Sequence, residues 1–533
     1  MDTGVLFSVF SKLMKCPRCG YFVEMNHCLE FKQGLAQKFE IVCRSTSCKW
    51  KEIFFSSREA PRKSTRGNAR YEVNLRTIVS FREFGQGHAA IQLFCGYMNM
   101  PFSMSETTYN DTVKDALLPI YKQVVENDIN EATCELREFG DQETIGNDGI
   151  NDITASFDGS WQRRGYASLN GVVTGISIDT GKCLAYEILT KTCKACEMWD
   201  KKKGTDKYEQ FMLDHTCSIN HKGSAGAMEA SGVRKMFEKS VKDLNIRYMT
   251  YIGDGDSKAF PAVVEAQPYG PDKIPVKGEC VGHVQKRVGT RLRKLKKTCG
   301  SEILADGKKL GGIGRLTDQW VNTLQTYYGM AIRQNTDNLS NMRKAVGAVL
   351  YHCSEATDAQ ARHQFCDKDS EWCRMRVAER KNQPFTEKPG LPVAVRDKIM
   401  PIFQSLSKTE LLEKCLHGKT QNNNEGINQF IWKRIPKAVF VGRNVLEMGV
   451  CSAILNFNSG SSTMIEIITL LGLNPGYFTN VFCEKKDEIR ISKMKRKMSD
   501  EGLRDRKRKR AIKKGYIDKD KANEGKVYSC GSF

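Results

Sequence analysis

The sequence predicts an α/β protein, and three observations predict it. A set of β-branched-rich runs begins near residue 150, runs of helical periodicity precede and follow it, and the N-terminus carries paired cysteines spaced for a metal. At 533 residues the chain exceeds what a single core organises, so roughly two to four domains are expected.

Taken in order, Cys16-Pro-Arg-Cys19 is followed by the strand-like KFEIVC and then by Cys48, so that Cys16, Cys19, Cys43 and Cys48 form two thiolate-bearing turns. This pattern fits a Zn2+ ribbon over residues 1–55, in which the ion substitutes for a core too small to fold alone. Cys28 has no place in that set. Residues 56–72 read as a basic linker. Residues 73–145 read as a mainly helical region for DNA binding or packing, from HAAIQLFCGYMNM and TVKDALLPIYKQVV, with Ser103 and Ser105 as candidate caps.

From residue 150 the pattern changes. ITASFDGSW is followed by two further strand runs joined at Asp179-Thr-Gly181, a hairpin turn. GVRKMFEKSVKDLN then reads as a helix, RYMTYIGDGDS as a buried strand and KAFPAVVEAQ as a helix. Three antiparallel strands followed by helix, strand and helix is the element order of a ribonuclease H-like core, whose first part spans 150–278.

The acids give that order meaning. Asp158 lies inside an apolar strand, where a carboxylate costs several kcal/mol unless paired or bound to a cation. Asp254 ends a second such strand, with Asp256 two residues later, and Glu425 opens the helix in TQNNNEGINQFIW. Singly, each also suits a turn or a helix first turn. Together they suit phosphodiester chemistry, which uses two divalent ions roughly 3.5–4 Å apart held by hard carboxylate oxygens. In that helix Asn422, Asn423 and Asn424 are expected to cap, Ile427, Phe430 and Ile431 to anchor, Pro436 to terminate, and Asn428 to face the site.

Charge and cysteine usage bound the partners. The net charge is +21, and residues 277–309 hold ten basic and three acidic side chains while residues 484–515 hold fifteen and six. Such clusters favour a polyanion, most simply nucleic acid. No window reaches the about 18 apolar residues of a membrane span. Twenty cysteines in repeated close pairs point to metal in a reducing compartment rather than to disulfides. RDRKRKRAIKK at 504–514 has the composition of a nuclear import signal, and residues 481–533 read as a basic, disordered tail.

Two further clusters offer Zn2+ ligands. Cys193 and Cys196 form a half-site that Cys217 and either His215 or His221 would complete, in a loop over 193–221. His352, His363, Cys366 and Cys373 offer four ligands at gaps unlike a standard finger, with Cys353 beside them.

SFDGSWQRRG, GDGDSKAF, ECVGH and TQNNNEGINQFIWKRIPK, together with HTCSINHKGSAGAME and the N-terminal cysteines, resemble the Mutator-like transposases, in the branch found in animals. The resemblance covers nearly the whole chain to about residue 480. It implies a ribonuclease H-like core with an Asp, Asp, Glu triad, interrupted by a helical insertion over 279–410 and completed by 411–480. By position the triad is Asp158, Asp254 or alternatively Asp256, and Glu425, holding Mg2+ or Mn2+. The Cys-x-x-His signature falls on Cys280 and His283. Cys280 and His283 would then lie near the bound phosphodiester, with Lys286, Arg287, Arg291, Arg293 and Lys294 gripping the backbone. The apolar face of that helix is Val284, Val288, Leu292 and Leu295.

The implied protein is a nuclear DNA transposase acting on terminal inverted repeats and target DNA as a homo-oligomer. A domesticated zinc DNA-binding protein without catalysis and a structure-selective nuclease are the alternatives.

Overall fold

The computed structural model describes residues 3–502, apart from 62–68, 140–144, 147, 164–167, 256–257 and 371–372, together with 504–506, 508–509 and 512. The chain forms two compact units, one of residues 1–81, 87–125 and 459–533, the other of 82–86 and 126–458.

In the first unit, β1 (Val23–His27), β2 (Lys38–Cys43) and β3 (Lys51–Phe55) form an antiparallel sheet in that order. Phe39 on β2 is its core, meeting Phe7 and Phe54 at ring distances of 5.5 and 5.3 Å. The expected linker is tied at its ends, where Glu59 bridges Tyr71 and Ala60 is buried. The helical region follows as expected. Ser105 caps Glu106–Thr112 by accepting from Thr108 N, whereas Ser103 accepts from Gly34 N and caps nothing. A π turn at Val113–Leu117 precedes Pro119, which lacks the N–H of a regular turn.

The C-terminal part departs from expectation. Instead of disorder beyond 481, a helix spans Tyr477–Met498. Asp487 anchors it, accepting from the backbone N–H groups of Ser461 and Ser462 at 2.8 and 3.0 Å, and Cys483 is buried. Lys495, Arg496 and Lys497 close the helix where its dipole favours positive charge. High charge therefore did not prevent order, because one acid found a backbone anchor. Part of the basic run at 504–514 lies outside the described residues.

The second unit is a mixed sheet of β4 (Asn151–Trp161), β5 (Asn170–Ser177), β6 (Cys183–Thr190), β7 (Ile246–Gly253) and β8 (Val276–Glu279), in the order β6-β5-β4-β7-β8. The first three strands are antiparallel, joined at the expected turn with Gly181 at φ 71°, while β7 and β8 run parallel to β4. Strand β8 has no counterpart in the sequence reading, since four residues reading VKGE show no apolar alternation. The Ala227–Leu244 helix packs on one sheet face through Val233, Met236 and Phe237 against Phe157 and Tyr248. Gly232 permits that approach, because a Cβ there would lie 2.7 Å from Val173 Cγ2.

Between β8 and the Glu425 helix (Asn422–Arg434) runs an all-helical stretch from Val281–Thr298 to Thr409–Glu413. It has a core of its own, including Val284, Leu292, Leu324, Tyr328 and Ile399. The apolar stripe Val284, Val288 and Leu292 is fully buried, as its spacing requires, with Leu295 partly so.

A carboxylate pocket and three cysteine and histidine clusters

The Glu425 helix is fastened to β4 residue by residue. Asn424 is fully buried; its side chain accepts from Ser156 Oγ at 2.6 Å and donates to Ser156 O and Thr174 O at 3.2 and 3.1 Å. Gln421 Nε2 donates to Phe157 O at 2.6 Å, Asn428 Nδ2 to Asp158 Oδ2 at 2.8 Å, and Trp432 Nε1 to Ser160 Oγ at 2.7 Å. Capping by the asparagines is thus corrected: Gln421 occupies the N-cap without a side-chain cap bond, and Asn424 is spent on the sheet. Ile427 and Ile431 are buried anchors, Phe430 is half-buried against Phe457, and the helix stops before Pro436. Asn424→Ala is expected to destabilise the fold by about 2–4 kcal/mol, read by denaturant titration, because it strands one buried hydroxyl and two carbonyls.

This mounting brings together residues far apart in sequence. Asp158 sits on β4, Asp254 directly follows β7, and Glu425 leads its helix, with His283 between the last two. His283 Nδ1 lies 3.8 Å from Asp254 Oδ1, and Nε2 lies 3.9 Å from Glu425 Oε1. Burial, then the charge of Glu229, and then those of Glu425 and Asp254 push the Asp158 carboxyl up to about 7, against the opposing hydrogen bond from Asn428. A pocket whose central acid is held this high is one in which negative charge lacks its counter-charge. Hard oxygens with no thiolate among them fit Mg2+ or Mn2+. Asp256 lies outside the described residues.

Several expected DNA contacts are engaged elsewhere. Arg287 spans Asp254 at 3.4 Å and the buried Glu279 at 3.1 Å, so it steadies the second acid rather than reaching outward. Lys286 reaches Glu425 at 3.3 Å. Cys280 is buried, its sulfur accepting from Gln421 N at 3.4 Å, and it joins the starts of two helices. Arg291, Arg293 and Lys294 are exposed, the first two bonded to Ser405 and Asn322. The sequence reading gave no role to Glu229, Glu279 or Gln421, although each lies inside a quoted motif, and it read Asn424 as a cap rather than as a clamp on the sheet.

The cysteine and histidine clusters are tighter. Cys16, Cys19, Cys43 and Cys48; Cys193, Cys196, His215 and Cys217; and His352, His363, Cys366 and Cys373 each bring their ligand atoms within 4.8 Å of one another. Soft thiolates and imidazoles in fours fit Zn2+. The choice left open in the second cluster falls to His215, which stacks on Phe211 at 4.5 Å, while His221 turns to Ser224 O at 3.0 Å. In the third, His363 is buried and its Nε2 lies 3.2 Å from Glu387 Oε2, the carboxylate partner that fixes an imidazole ligand's tautomer. Cys353 stays outside, in the helical core.

Fold and site together define an α/β protein with three cysteine and histidine clusters that could hold zinc and a set of carboxylates suited to hard cations. A family model described as Mutator-like transposase matches residues 1–373, and the chain belongs to that family. Its activity is therefore transposase-related, in a family of DNA-binding, nucleic-acid-cleaving enzymes. The match takes in Asp158, Asp254 and all three cysteine and histidine clusters and ends before Glu425. No curated protein matches. No helix among the described residues is long and apolar enough to cross a membrane.

Proposed function

We propose that the chain is a cut-and-paste DNA transposase of the animal branch, with a ribonuclease H-like core that binds terminal inverted repeats and joins the cut ends to target DNA. The observation that carries this reading is the convergence of Asp158 on the central strand β4, Asp254 just past the end of the neighbouring β7, and Glu425, with His283 between the last two. Asp158, Asp254 and Glu425 would hold the cations. Divalent cations held there would supply Lewis acidity to the attacking water and to the leaving 3′-oxygen.

The remaining roles belong to the chain's own groups. Asn428 orients Asp158, and Arg287 with Glu279 orients Asp254. His283 is placed to donate an N–H to a phosphate oxygen or to pass a proton. Arg291, Arg293 and Lys294 line one exposed side of the His283 helix (Val281–Thr298) and would neutralise phosphates, alongside the zinc ribbon. Hydrolysis leaves a 3′-hydroxyl, which then attacks a target phosphodiester and displaces a target 3′-oxygen. We assign the working form to a homo-oligomer in the nucleus, since two ends must be held together.

The test is a duplex carrying the element's terminal repeats, incubated with the full chain and Mg2+ or Mn2+. Cutting at the repeat boundary is expected. Binding without cutting in either metal points to a domesticated DNA-binding protein, and cutting of branched DNA irrespective of sequence points to a nuclease.

A further inference from the structure

We propose that Glu229 is a fourth carboxylate of the metal-holding pocket, an acid from outside the triad that shares the cation held by Asp158. The proposal rests on the reading of that pocket as a divalent-metal site. Its geometric basis lies at Gly159, the residue after Asp158 on β4. A Cβ built at Gly159 would meet the Glu229 side chain at three atoms, Cγ at 3.0 Å, Cβ at 3.1 Å and Oε2 at 3.2 Å. Because residue 159 is glycine, the Glu229 carboxylate lies over the strand backbone immediately beside Asp158.

The placement follows from the fold. Glu229 is in the first turn of the Ala227–Leu244 helix, which follows the antiparallel strands and packs on Phe157 of β4, whereas the Glu425 helix bonds to the alternate residues Ser156, Asp158 and Ser160 on the other face. Trp161 Nε1 donates to Ala225 O at 2.8 Å, and Met228 is fully buried, its sulfur 2.7 Å from the position a Cβ at Gly171 would take. These contacts hold the residues before Glu229 against β4 and β5, so the carboxylate is not on a loose end. Asp158 thus has an acid delivered from each side of the sheet, Glu425 from one helix and Glu229 from the other. Such an acid beside a metal ligand is repulsive in the metal-free protein and becomes favourable when a cation shares both carboxylates.

The experiment uses the full-length, zinc-loaded chain and Mn2+ alone as probe, followed by calorimetry and by the Mn2+ paramagnetic resonance signal. Glu229→Gln is expected to weaken Mn2+ binding at least tenfold and to move the Mn2+ activation curve for DNA cutting to correspondingly higher concentration. Glu229→Asp should recover part of the loss. Gly159→Ala keeps every acid but pushes the Glu229 side chain away, and should reproduce the weakening, which separates loss of the carboxylate's position from loss of fold. Zinc content and melting temperature are measured alongside. If Glu229→Gln and Gly159→Ala bind Mn2+ as the parent does while Asp158→Asn does not, Glu229 has no part in the site and the triad reading stands. If Asp158→Asn also binds Mn2+ normally, the metal reading of the whole pocket falls.

Discussion

Alanine at Asp158 or Glu425 is expected to abolish divalent-metal-dependent cutting of repeat-bearing DNA, by a factor of about 1,000 or more, while leaving DNA binding in place. Glu425 is half exposed, and the helix that bears it is held to the sheet by Gln421, Asn424, Asn428 and Trp432 rather than by the acid itself. Loss of activity with retained zinc and retained binding therefore reads out chemistry. Parent-level cutting by either variant would remove the acid from the mechanism.

Stability provides a second readout at the same residue. The Asp158 carboxyl is raised to about 7 from an ordinary 3.8, so in the folded, divalent-free protein it favours its protonated form. A raised folded value contributes stability that is present below the unfolded value and is lost as pH rises through the folded one. The window is therefore about pH 4 to 7. Asp158→Asn mimics the protonated acid and keeps an acceptor for Asn428. It should melt higher than the parent at pH 8, by about 1–2 kcal/mol, with the advantage fading toward pH 5. An advantage that grows on acidification would contradict the assigned direction.

His363→Ala is expected to empty the third cluster, lowering bound zinc from three ions per chain to two and loosening the helical insertion. His363 is central there. Its Nδ1 lies 3.0 Å from His352 Nδ1 and 3.3 Å from Cys373 Sγ, and its backbone carbonyl accepts from Arg376. Around Cys366 and Cys373 the apolar core is small, with Met375 and Phe385 as neighbours, so the ion would supply much of the local cohesion. Zinc analysis together with limited proteolysis between residues 353 and 390 reads the effect. Glu387→Gln, which keeps all four ligands, should weaken zinc by about 10- to 100-fold without changing the ligand set. Three tightly held ions in His363→Ala would show that His363 is not a required ligand, and only two in the parent would show that the cluster is a packing arrangement.

Much of this was legible in the sequence where it depends on neighbours in the chain. The hairpin at Gly181 is local backbone chemistry, the stripe of Val284, Val288 and Leu292 follows from helical period, and the ribbon cysteines sit in short turns. The zinc set with irregular gaps, His352 to Cys373, shows the limit of that reasoning. His352 and His363 end two successive helices, Cys366 lies in the turn beyond them and Cys373 precedes a third, and the angles between these elements cannot be read from spacing.

What the sequence by itself determined is the inventory: an α/β chain, acids inside apolar strands, basic clusters, and cysteine pairs that suit metal. Only the tertiary structure decided how that inventory is used. Asn424 meets Ser156 from 268 residues away and becomes a sheet clamp rather than a cap. Arg287, read as a DNA contact, is held by Asp254 and Glu279, and Glu229 lies against Gly159, next to Asp158, only because that residue has no side chain. The physical reason is common to all three. A polar side chain's role is set by the partner that satisfies its charge or hydrogen bonds, and here that partner lies on another element, beyond the reach of any local pattern.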